Sequence, residues 1–158
     1  MSRQLDMVEL AMKHALRLNQ LVSTTEKGKD LAKKLRSRAR ELPSLIMDNG
    51  LVVTLLFYLS KAENPKIVEN SVKIMLNNER IKDSILNPGK YAYALIAASV
   101  LTALKETGII KIESDASVED IVKILIEKRE SQEVMITGII EEYVVNLKRA
   151  AEFLWEEE

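Results

Sequence analysis

Apolar residues return every three or four positions along almost the whole chain, the period of helices that turn one face inward. Leu5, Val8, Met12, Ala15, Leu18 and Val22 predict a first helix of about five turns, which Ser23, Thr24, Thr25 and Gly28 break. Leu31, Leu35, Ala39 and Leu42 predict a second from Lys29 to Glu41. Pro43 is expected to stop it, because proline has no amide proton and clashes with the preceding turn, while suiting the first position of a new helix. From Pro43 to Lys61 runs a third, strongly apolar unit interrupted at Asn49-Gly50, a pair that favours a turn or a helix end. Being apolar on nearly all sides, this unit is the expected centre of the core.

Asn64-Pro65 reads as a cap followed by proline at the first helical position, opening a helix through Ile67, Val68, Ser71, Val72 and Met75. A short helix around Ile81 and Ile85 is expected to end at Asn87-Pro88-Gly89. Tyr91 to Lys105 is rich in small residues that allow close packing, and Gly108 stands where a capping glycine would. The β-branched stretch Gly108 to Glu113 has no strand to pair with, so it is expected to be an extended linker. Ser117 can cap a helix carrying Val118, Ile121, Val122, Leu125 and Ile126. A last helix from Gln132 aligns Ile136, Ile139, Ile140, Tyr143, Leu147, Ala150 and Leu154, and the acidic stretch Glu156 to Glu158 is expected to fray. The pattern predicts an all-α protein, a compact single-domain bundle of about six to seven helices over residues 1–158.

Composition changes this picture little. With 47% apolar and 30% charged residues in 158, the chain is an ordinary globular protein. The absence of cysteine excludes disulfides, thiolate metal sites and a thiol nucleophile, and fits a reducing, cytoplasmic setting. Asp6 and Glu9 interrupt what would be the apolar core of a signal peptide. The uncharged run from Asn49 to Ser60 falls short of the roughly 20 residues that cross a bilayer, so no membrane partner is expected.

Charge is more informative. Residues 1 to 61 hold 11 Lys/Arg against 6 Asp/Glu, and residues 62 to 158 hold 12 against 18. Such a split suggests an anionic partner at one end, or head-to-tail contact between copies. Lys27, Lys29, Lys33, Lys34, Arg36, Arg38 and Arg40 crowd into one short stretch. At 100° per residue, Lys29, Lys33, Arg36 and Arg40 share a band of about 60° that extends about 16 Å along a helix, enough for a few consecutive phosphates. No aromatic residue interleaves this stripe, so base stacking from this element is not indicated.

Catalytic chemistry is missing. His14 is the only imidazole, and its place on an amphipathic helix reads as a partly buried structural residue. No phosphate-cradling glycine loop and no paired-histidine metal motif occurs, so no cofactor is expected. Glu127, Glu130, Glu133, Glu141 and Glu142 are the densest carboxylates, but they alternate with Lys128 and Arg129 on polar helix faces, as solvated surfaces do. A metal-dependent hydrolase is therefore a weak reading, and a free-standing nucleic-acid-binding regulator with Lys29 to Arg40 as its contact helix is a better alternative.

The stretch Arg38 to Leu51, RARELPSLIMDNGL, continuing to LLFYLSK over Leu55 to Lys61, resembles the small helical subunit of the Cmr complex, the type III-B CRISPR effector that uses a guide RNA to recognise invading RNA. Tyr143 with Leu147, Lys148, Arg149 and Ala151 is a second match. The resemblance implies a non-catalytic protein, stacked in several copies beside the backbone-forming subunits of the complex. Its partners would be other Cmr subunits, further copies of itself, and the backbones of guide RNA and target RNA. RNA cleavage and nucleotide chemistry would belong to other subunits. Lys29, Lys33, Lys34, Arg36, Arg38 and Arg40, joined by Lys148 and Arg149, are then the candidate RNA contacts.

Overall fold

A computed structural model describes residues 6–81 and 87–158. Among these, six helices follow one another: α1 (Met7–Thr24), α2 (Gly28–Asn49), α3 (Leu51–Ala62), α4 (Pro65–Asn77), α5 (Pro88–Glu106) and α6 (Val118–Leu154). Leu5 and Ile85 of the expected pattern lie outside the described residues, and Ile81 is partly buried but not helical. No described helix is long and apolar enough to cross a membrane.

One boundary differs from the sequence expectation. Pro43 does not stop α2, which runs through it to Asn49. The missing hydrogen bond is outweighed because Leu42 and Ile46, on either side of the proline, are both buried and hold the next turn in register. Asn87-Pro88 opens α5: Asn87 Oδ1 accepts from Lys90 N–H at 3.2 Å, with Pro88 as the first helical residue. Asn64-Pro65 starts α4 in the same way, with 2.9 Å from Lys66 N–H to Asn64 Oδ1.

The centre of the core is α5, not the apolar unit after Pro43. Every residue from Ala94 to Leu104 is buried, whereas Val53 and Phe57 of α3 and Met47 of α2 reach solvent. Its alanines let α2, α3 and α4 approach closely on different sides, which turns a weakly amphipathic helix into a fully enclosed one. The uncharged run from Tyr91 to Leu104 was the sequence signal for this. α6 closes the opposite side, packing on α1 and α2.

Other local expectations match. Gly108 takes φ +80 after α5, and the amides of Gly108 and Ile109 return to the carbonyls of Lys105 (2.9 Å) and Leu104 (3.0 Å), the double closure of a glycine-capped helix end. The stretch to Glu113 forms no strand and is pinned by buried Ile110 and Ile112. Ser117 and Asp120 form a reciprocal capping box, and Glu69 of α4 accepts from the Val118 amide at 2.8 Å. Gln132, with φ −147, breaks α6 where the last helix was expected to start. Of the expected inward stripe after it, Ile136, Ile140, Tyr143, Leu147 and Ala150 are buried and Ile139 is exposed.

Candidate nucleic-acid interface

The basic stripe lies on one long helix. Leu31, Leu35, Ala39 and Leu42 point inward from α2, so the side chains between them are pushed outward. Lys29 and Arg40 are exposed, and Lys33, Lys34, Arg36 and Arg38 are half-buried along the same helix. Lys148 and Arg149 stand on α6, Lys148 half-buried and Arg149 exposed.

Arg38 is committed elsewhere. Its Nη1 donates to Glu41 Oε1 at 2.8 Å and to the Tyr93 hydroxyl, and its guanidinium sits 4.5 Å from the Tyr93 ring centroid. Tyr93 meets Tyr58 and Phe57 edge-on, at 5.2 and 6.2 Å between centroids, and Lys61 Nζ lies 5.4 Å from the Phe57 ring. Thus α3 and α5 bring aromatic rings beside a stripe that contains none of its own. Phe57, 43% exposed, and Lys61 are the surface members that the linear reading missed; their four-residue spacing was the available signal.

The acidic stretch expected to fray is instead laid on the stripe. Trp155 ends α6 in an extended conformation, buried, with its indole N–H donating to Asn19 Oδ1 of α1 at 3.1 Å. The residues after it then cross α2. Glu157 Oε1 lies 3.0 Å from Arg36 Nη1 and 3.7 Å from Arg40 Nη1, while Glu158 lies 3.0 Å from Lys34 Nζ and 3.9 Å from Arg38 Nη2. Hydrogen bonding from Arg36, followed by the charges of Arg36 and Arg40, holds the Glu157 carboxyl below its ordinary range. Hydrogen bonds from Ser37 and Lys34 do the same for Glu158. Part of the charge asymmetry between the two ends of the sequence is therefore satisfied within one chain.

Among the described residues no group of three His, Asp or Glu side chains could hold a metal ion. Glu133 of the acidic group is not merely solvated: its Oε1 accepts from the Val52 amide at 3.2 Å, supplying the cap that Gly50 cannot give α3. His14 is more deeply buried than expected, 1% exposed, and bonded to other side chains.

A family model described as CRISPR-associated protein (Cas_Cmr5) matches residues 10–154. A chain in the cryo-EM structure of the type III-B Cmr-beta complex bound to non-cognate target RNA is similar in fold, with a TM-score of 0.73 and 22% identity over 95% of this chain and 99% of that one. No curated protein sequence matches.

Proposed function

The chain belongs to the Cas_Cmr5 family of CRISPR-associated proteins, and on that premise we propose that it is a non-catalytic small subunit of a type III-B effector ribonucleoprotein, meeting RNA backbone through α2. The family match over residues 10–154 carries this reading. The stripe of Lys29, Lys33, Arg36 and Arg40, flanked by Lys34, supports the RNA contact: its four members share one helix face, and arginine forks match phosphate oxygens. Lys148 and Arg149 are candidate contacts from α6. Other subunits, further copies of this chain, and guide and target RNA are its partners, and a cysteine-free composition suits the reducing cytoplasm. The subunit contributes surface and charge, while chemistry belongs to its neighbours.

A free-standing helix-turn-helix regulator has less support. Only Gly50 separates α2 from α3, where that motif needs a turn of about three or four residues. The test is purification of a tagged copy from native extract at low salt, with the co-purifying proteins identified by mass and the RNA by sequencing. Type III-B subunits with short repeat-tagged RNA are the expected result. A lone protein, or one carrying DNA, would overturn the assignment.

A further inference from the structure

The occupants of the stripe are themselves informative. Two carboxylates sit against four cations, each shared between two basic side chains of α2. A carboxylate and a phosphate accept from the same guanidinium and ammonium donors, so Glu157 and Glu158 mark two anion positions on the helix. From this geometry we infer that the acidic segment 156–158 stands in for two phosphates of an RNA backbone and must lift off α2 before RNA can occupy the stripe. The inference rests on the RNA-backbone reading above and adds a built-in competitor to it.

Three observations carry it. The segment is held down by charge: the Glu157 side chain is 69% exposed, and exposed ion pairs of this kind are weak and screened by salt. Trp155, anchored on Asn19, tethers the segment beside α2, so it competes at a high effective concentration and returns when RNA leaves. Lys29 and Lys33, which make no ion pair among the described residues, leave the start of the helix open for the first contacts. The arrangement favours a long backbone, which can engage Lys29 and Lys33 and then displace the carboxylates, over short anions that cannot.

The experiment is fluorescence anisotropy of a labelled single-stranded RNA of mixed sequence with the full chain, across a series of salt concentrations. The variants are Glu157→Gln/Glu158→Gln, the control Glu156→Gln, and Arg36→Gln/Arg40→Gln, with circular dichroism confirming that each folds. Removing the competitor should tighten RNA binding about three- to tenfold at low salt. It should also steepen the salt dependence, because in the unaltered chain added salt weakens the carboxylate–cation pairs that RNA must break and so offsets part of the lost affinity. Glu156→Gln should change affinity less than about twofold. Equal gains from Glu156→Gln and the double variant would overturn the inference, leaving only net charge. Arg36→Gln/Arg40→Gln binding as tightly as the unaltered chain would sink the RNA reading itself. Loss of binding in that variant with no gain in the glutamate variant would sink the competitor alone.

Discussion

His14 of α1 and Tyr143 of α6 meet in the interior, with 2.6 Å between the imidazole Nδ1 and the phenol oxygen. The Tyr143 hydroxyl also lies 3.0 Å from the Ser99 carbonyl of α5, so it bridges the imidazole and the helix backbone. Three helices that share the core are thus joined by one chain of hydrogen bonds.

Tyr143→Phe keeps the ring and removes the link. His14 Nδ1 and the Ser99 carbonyl both lose their contact with the hydroxyl, and both lie out of contact with water. The variant should be destabilised by about 1–3 kcal/mol in urea or guanidinium unfolding, with an unchanged m-value.

Burial holds His14 below its ordinary pKa, against the opposing hydrogen bond and charge of Glu106, with Arg17 adding to the lowering. Glu106 Oε1 lies 3.3 Å from Nε2 and is 41% exposed, so it can remain solvated beside a neutral ring. The folded state thus binds this proton less readily than the unfolded chain. Stability from His14 is complete above the unfolded pKa of about 6.5 and declines as pH falls below it, until the lowered folded value is reached. Urea midpoints measured from pH 7.5 downward should decrease, and His14→Gln should flatten that part of the curve. An identical slope in His14→Gln would assign the dependence to other groups.

Pro43 sits inside α2 at a site that would otherwise donate to the Ala39 carbonyl. Because Leu42 and Ile46 already hold the helix there, Pro43→Ala restores a hydrogen bond without asking the chain to move. Thermal unfolding should show a gain of about 1 kcal/mol or more; a loss would mean that the ring's own packing outweighs the missing amide.

Gly50 links α2 to α3 at φ +88, and a Cβ there would fall 2.5 Å from Glu133 Oε1. Gly50→Ala should cost about 1–3 kcal/mol through backbone strain and displacement of that carboxylate. Glu133→Ala alone should cost about 1 kcal/mol as a lost cap. In the double variant the collision is gone and the strain remains, so the combined loss should be smaller than the sum, which a double-mutant cycle measures directly.

Helix periods, the Asn64-Pro65 start, the glycine end at Gly108 and the Ser117 capping box were all legible in the linear chain, because each depends on residues within a turn of one another. So was the clustering of basic residues on one face of α2, which follows from helical geometry alone. Tertiary structure decided the rest. Whether Pro43 ends a helix depends on burial of the turns around it, and whether α3 or α5 lies at the centre depends on how many neighbours each gains. The rings beside Arg38 come from α3 and α5, and the carboxylates on the stripe come from residues more than a hundred positions away. Coulombic and packing contacts act through space, so their partners are set only once the helices have assembled.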